Sequence, residues 1–429
     1  MDIYVVQQGD TVDLIANKFG VNPNRLVEDN SLEYPYELLI GQAIVIAYPK
    51  QTHIVQEGDS LLSIADAYNV TVMQLLRNNS FLSGREYIYP GETLVISYNT
   101  LKSIHTMGIS YSFIEKKTLI KTLPELTYLT IVNYATVEGG AIIEYYDDSE
   151  IIAISKQYGT IPLMQLTTIS SQGIPNEKLA LSILKNEEFQ ERHIDQFIKI
   201  IKKKGYGGIN LVFNYLNTVN EPLYQAFVEK VSKRLRVEGL YLCVTVNYSE
   251  KLENNNVIYE KVDYAKMSKY TDELIFLKFK WGLDYGPPEP VANIDNINLL
   301  IKNVVSVVPS EDIIIGIPVL GYDWQLPYIP DQSSAASLSI SSVLGLAHEV
   351  DATIQFDEIS QTPNFNYTQY NLEQSFEHIV WFIDARSINA VCKLILEYQL
   401  SGKAAWNIML YYAPVWTIIN ATFDVVKLI

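Results

Sequence analysis

The chain has 429 residues, enough for two or three domains and at least one large core. Hydrophobic residues make up 48%, which excludes a disordered chain, and a net charge of −17 argues against nucleic acid and anionic membrane surfaces as partners. No apolar run is long enough to span a bilayer, and no Cys or His spacing suggests a metal, so neither metal nor cofactor is expected.

The first hundred residues repeat. "YVVQQGDTVDLIANKFGVNPNRLVEDNSL" is matched by "HIVQEGDSLLSIADAYNVTVMQLLRNNSF". Each copy reads strand, helix, helix, strand: a β-rich start, a Gly-Asp-Thr/Ser turn and N-cap, two amphipathic helices, then "GQAIVIAY" or "GETLVISY". The N-terminus has an acidic second residue and no basic segment, so no secretory signal is visible. Cys243 and Cys392 lie in apolar runs and are expected as buried free thiols.

This repeat resembles the LysM module, a βααβ unit that binds N-acetylglucosamine-containing polymers. The resemblance divides the start of the chain into modules 1–49 and 50–99. It also implies a sugar groove between the first strand–helix loop and the second helix–strand loop. Carried over, the groove residues are Asp10, Thr11 and Asn30, then Asp59, Ser60 and Asn79. A second reading of the Asp and Ser/Thr positions stays open: they also suit helix N-caps with no ligand. Both modules are expected to bind.

Past Asn99 the pattern changes. Apolar runs at 105–111, 128–134, 160–166, 208–213, 240–246, 274–279, 312–320 and 403–410 alternate with helical periodicity. Eight strands with helical crossovers over residues 100–429 is the count of an α/β fold, a (β/α)₈ TIM barrel. The polar, aromatic stretch 324–385 predicts a small insertion between strands seven and eight, on the face where such barrels place their sites.

The barrel resembles the family 18 glycoside hydrolases. Together with the two modules, "GYDWQLPY", "KWGLDYGPPEP", "PNFNY" and "VWFIDARS" make it similar to spore cortex-lytic N-acetylglucosaminidases. That family hydrolyses bonds beside N-acetylated sugars with the substrate's own acetamido group as nucleophile. The resemblance implies a Glu general acid at the end of strand four and an Asp two residues earlier. Here those positions hold Asn214 and Val212. The Tyr expected on strand six is Phe279, and the Asp that often follows it is Lys280. Val has no proton to give, and Asn cannot act as an acid near neutral pH. Trp281, Asp323, Trp324, Arg386 and the floor aromatic Trp406 match the family's groove.

Three functions are therefore open. The first is a glycan-binding protein of the bacterial spore with a catalytically degenerate barrel, a pseudoenzyme acting on peptidoglycan. The second is an active glucosaminidase using a displaced carboxylate, with Glu138, Glu144, Glu221 and Asp284 as candidates and Asp147–Asp148 expected as loop surface. The third is a barrel turned into an interaction surface. The expected location is the spore coat or cortex, reached from the mother-cell cytoplasm without a signal peptide. Expected partners are peptidoglycan and, further, spore coat or cortex proteins.

Overall fold

The computed structural model describes residues 1–85, 87–168, 176–212, 221–246, 250–253, 256–259, 262–277, 286–330, 332–371 and 374–428. Module 1 comprises β1 (Asp2–Val5), α1 (Val12–Phe19), α2 (Pro23–Asp29) and β2 (Ala43–Ile46). Module 2 repeats it with β3 (Gln51–Ile54), α3 (Leu61–Tyr68), α4 (Val72–Asn78) and β4 (Thr93–Ser97). In each, the two strands pair antiparallel. The helices begin where expected because the Thr11 and Ser60 hydroxyls accept the amides of Leu14 and Ser63. The first helices end at Gly20 and Asn69, both left-handed, as a helix C-terminus favours.

The barrel strands are β5 (Lys102–Tyr111), β6 (Tyr128–Thr136), β8 (Ile161–Thr167), β9 (Gly208–Val212), β10 (Tyr241–Val246), β13 (Glu273–Phe276), β14 (Ile313–Pro318) and β20 (Gly402–Trp406). They pair in parallel in that order, and β20 pairs back onto β5, closing the ring. Two short hairpin elements interrupt the series: β7 (Ile142–Glu144) against β6, and β11 (Glu250–Glu253) with β12 (Asn256–Tyr259). The crossovers carry α5 (Lys116–Thr122), α6 (Ser149–Gln157), α7 (Glu177–Leu184), α8 (Glu187–Lys204), α9 (Glu221–Val237), α10 (Tyr264–Ser268) and α11 (Ile294–Val304).

The period-two alternation explains the two cores. Side chains such as Ile109, Leu163, Val212, Ile275 and Trp406 point inward and fill the barrel. Their neighbours, such as Ile131, Leu211 and Phe276, point outward and pack under the helices. Cys243 and Cys392 are buried free thiols.

Two predicted runs are shorter as strands. The run 312–320 stops at Pro318, and 403–410 stops at Trp406. Both reach the mouth there, where the neighbouring strand β5 has also nearly ended, at Tyr111. The insertion begins at Gly321, three residues before the expected start. It forms a five-stranded antiparallel sheet ordered β16 (Ala336–Leu338), β15 (Gly321–Leu326), β19 (Gln374–Phe382), β18 (Thr362–Asn371) and β17 (Gln355–Asp357). Helix α12 (Ile340–Glu349) accompanies that sheet, and α13 (Ala385–Glu397) leads back to the barrel.

The chain closes with α14 (Ala413–Thr422) and β21 (Phe423–Val425), which pairs with β5. Both modules rest their second helix on α14. Thr417 donates to the Asp29 carbonyl at 3.0 Å, and Asn420 donates to the Arg77 carbonyl at 3.2 Å. The modules are also joined to each other. Arg25 pairs with Asp29 at 2.9 Å and donates to the Asn78 carbonyl at 2.7 Å, spanning both. No helix among the described residues is long and apolar enough to cross a membrane.

Candidate functional site

The barrel mouth is built on its strand ends. Val212, last residue of β9, is 1% exposed and shares the interior apolar cluster with Met107, Ile109, Leu277 and Trp406. Among the described residues its side chain packs with hydrocarbon. Asn214, Phe279, Lys280 and Trp281 lie outside the described residues. Trp406 closes β20 as the floor. Tyr111, ending β5, meets it edge-on at 6.0 Å between ring centres. Phe113 stacks on Tyr111 at 5.1 Å, and Tyr146 meets Phe113 at 5.5 Å. A continuous aromatic run thus climbs from the buried floor to Phe113 and Tyr146, which are mostly exposed. Sequence reasoning missed this run. The "SYSF" that ends and just passes the first strand was its visible signal, since aromatics at the C-terminal end of a barrel strand sit at the mouth.

Two expected groove residues are placed differently. Trp324 is 1% exposed, packed with Tyr322 and Ala335, and its indole donates to the Gly286 carbonyl at 3.1 Å. It is a buried strut of the insertion rather than an open platform. Arg386 turns toward module 1. It pairs with Asp384, donates to the Gly41 carbonyl at 3.1 Å and covers the Phe356 ring at 4.0 Å. Asp323 accepts from Tyr367 at 2.8 Å and meets His378 at 2.9 Å, so it cross-links β15, β18 and β19.

In the modules, the polar residues expected in the groove serve the fold. Asn79 is fully buried, and it donates to the Leu75 and Val95 carbonyls and accepts the Val95 amide. Asn30 repeats this with Leu26 and Val45. Each Asn therefore fastens its second helix to its last strand, with both amide hydrogens spent on backbone carbonyls and the side chain buried. Asp10 accepts from the Gln7 amide and Tyr4, and Asp59 from the Gln56 amide and His53; the backbone bond foremost holds each carboxyl below its usual range. Thr11 and Ser60 are N-caps. Their exposed loops still border any ligand that lies there.

The LysM domain pattern matches residues 4–47 and 53–97, and the pattern of Glycosyl hydrolases family 18 matches residues 109–410. The chain belongs to glycosyl hydrolases family 18. It is 30% identical over its whole length to the "Cortical fragment-lytic enzyme" of Bacillus subtilis (strain 168), covering 99% of that protein. Its structure resembles the spore cortex-lytic enzyme SleL of Bacillus cereus, with TM-score 0.78, 28% identity and 99% of each chain covered. It also resembles SleL of Bacillus megaterium, with TM-score 0.79, 28% identity, all of this chain and 99% of that one.

Where could a family 18 barrel with Val212 find another acid? Glu221 is held inside by Gln225 and the Asp263 amide. Glu144 pairs with Lys204. Asp148, expected on the surface, is instead fully buried and accepts from Tyr134, Tyr206, Asn133 and Lys204. The cluster Glu144, Asp147 and Asp148 could ligate a metal by spacing, but the Lys204 ammonium already occupies its centre. Glu273 lies at the opposite end of the barrel, bound to His105, Tyr241 and Ser401. Asp284 is outside the described residues. Glu138 differs: it is exposed and lines an open cleft of about 710 Å³ with Tyr145, Thr168, Asn176 and Phe189, at the ends of β6 and β8.

The rim carrying Glu138 rests on His193. This buried ring donates through Nδ1 to the Gly140 carbonyl at 2.8 Å, and Thr136 lies 3.4 Å from Nε2. Burial pushes its pKa down from 6.5 to about 4. Between these values the unfolded chain takes up a proton that the folded one refuses. Stability held above pH 6.5 should therefore fall as pH drops toward 4, by up to ~1.4 kcal/mol per pH unit from this group. Denaturant midpoints measured across that window should show the slope, and His193→Gln should flatten it; equal slopes in both proteins would discard this origin.

Proposed function

We propose that this protein binds N-acetylglucosamine-containing glycan of the bacterial spore, through its LysM repeat and the aromatic mouth of its barrel, without hydrolysing it. Two relatives similar over nearly their whole length are described as a cortical fragment-lytic and a spore cortex-lytic enzyme, which supports spore peptidoglycan as the partner. The observation that carries the loss of hydrolysis is Val212. The residue standing where the family has its orienting Asp is an aliphatic side chain sealed in the barrel's apolar interior beside Trp406. The sequence adds Asn214 for the acid and Phe279 for the Tyr. A positioned general acid contributes roughly 10²–10⁴-fold, and a donor to developing charge roughly 10²–10³-fold. Losing both kinds leaves little.

Tyrosine and tryptophan faces stack on sugar rings, and Tyr hydroxyls can bond to them. The run Trp406, Tyr111, Phe113, Tyr146 offers such faces from floor to rim. The test is incubation of the purified protein with cortex fragments and chitin oligomers, following reducing ends and bound sugar separately. Binding without new reducing ends is the expected result.

The second reading is an active lytic enzyme, favoured by the names of the relatives. In this structure Glu138 is its best-placed described carboxylate. Hydrolysis by the unmodified protein that disappears in Glu138→Gln would establish that reading and end the first.

A further inference from the structure

The two modules share one fold but do not share surroundings. Taking Gly41 and Gly91 as the matched points of the second helix–strand loops, both backbones are left-handed, at φ +86° and +94°. Around Gly91 there is open space. Around Gly41 there is none: a methyl group would lie 1.9 Å from the Ile354 carbonyl oxygen of the inserted subdomain.

The neighbours diverge in the same direction. Two residues before the glycine, module 2 has Tyr89, 59% exposed; module 1 has Leu39, 6% exposed and part of the core shared with Phe365, Phe382 and Ile388. Four residues before it, module 2 has Tyr87, 69% exposed; module 1 has Glu37, whose carbonyl meets His348 at 3.2 Å. Two residues after it, Thr93 is exposed where Ala43 is buried. The loop backbone of module 1 is also engaged. The Ile40 carbonyl accepts the Ile354 amide at 2.9 Å, and the Gly41 carbonyl accepts from Arg386.

Module 2 is attached from another side. Its bonds to the barrel include those of Arg77 at the end of α4, which donates to the Val425 carbonyl and whose own carbonyl accepts from Asn420. Its loop residues Tyr87, Tyr89, Pro90 and Gly91 face solvent.

We propose that glycan capture by the repeat belongs to module 2, and that module 1 is a bracket whose corresponding loop is spent on holding the inserted subdomain of the barrel. This rests on the reading of the LysM repeat as glycan-binding given above. The ligand class is a polymer containing N-acetylglucosamine, received over the open backbone around Gly91 and against the exposed Tyr87 and Tyr89 rings.

The test uses the full chain and purified peptidoglycan sacculi, with bound protein measured by sedimentation over a range of sacculus concentrations. One variant carries Tyr87→Ala and Tyr89→Ala. The other carries Tyr34→Ala and Tyr36→Ala, the exposed tyrosines at the tip of the module 1 loop. All four side chains stand in solvent, and circular dichroism checks that both variants are folded. The expected result is a loss of about tenfold or more in affinity for the module 2 variant and little change for the module 1 variant. Unchanged binding in the module 2 variant, or equal losses in both, overturns the assignment. Failure of the unmodified protein to sediment at all would sink the glycan-binding reading itself, which is a different outcome from either.

Discussion

The quadruple variant Val212→Asp, Asn214→Glu, Phe279→Tyr and Lys280→Asp should release reducing ends from cortex fragments, where the unmodified protein is expected to release none. The expected gain over background is roughly 10²-fold or more, the range that a positioned acid and a charge-stabilising donor supply. Single changes should do little. Val212→Asp alone places a carboxyl among Met107, Ile109, Leu277 and Trp406, where burial raises its pKa and nothing in that apolar cluster repays its lost hydration. It should cost ~1–3 kcal/mol of stability and give no turnover. Asn214→Glu alone supplies an acid but no group to hold the substrate's acetamido arm. Silence of the quadruple variant, with folding intact, would mean that the groove has changed beyond these four positions.

Gly41→Ala should destabilise the protein by ~2–4 kcal/mol, and Gly91→Ala by only ~1 kcal/mol. Both substitutions place a side chain on a left-handed backbone, which costs ~1 kcal/mol. Only the first also drives a methyl into the Ile354 carbonyl, a backbone atom that cannot swing aside. The remaining difference is the steric term of overpacking. Thermal and denaturant unfolding of the two variants in parallel would read it. Because the chain has several folding units, the comparison should use the same probe, with proteolysis at the module 1 seam as a second readout. Equal midpoints would show that the seam yields without resistance.

Much of the fold was legible because each element carries its own period and its own punctuation. The repeat could be read from "GD" followed by Thr or Ser, since an N-cap is a local device with a local signature. The barrel strands could be read from short apolar runs, though not their ends at Pro318 and Trp406, which depend on where neighbouring strands stop. The site was less legible. Asn30 and Asn79 look like surface polar residues in sequence, and only the folded chain shows their amides stitched between helix and strand. Arg386 sits in a stretch that matches the family, yet its partner Gly41 is 345 residues away in sequence. Nothing local predicts such a pairing. Asp148 was misjudged for the same reason: its four partners come from two separate segments, around residues 133–134 and 204–206. The place of Val212 at the end of β9, by contrast, needed only the register of one strand.

The shared seat on α14 has a bearing on how the molecule is made. The two modules leave the ribosome before the barrel, and each has a small core of its own, so each can fold as it emerges. Their seat is synthesised after the barrel strands: Thr417, Asn420 and the Val425 carbonyl meet Asp29 and Arg77 only when the eighth strand has appeared. Through most of translation the modules must therefore wait undocked, with Leu39 and the other buried contacts of the seam still wet. The segment after the barrel acts as a latch that joins elements made before the barrel to elements made after it, so docking is a late event even though the modules themselves are early ones.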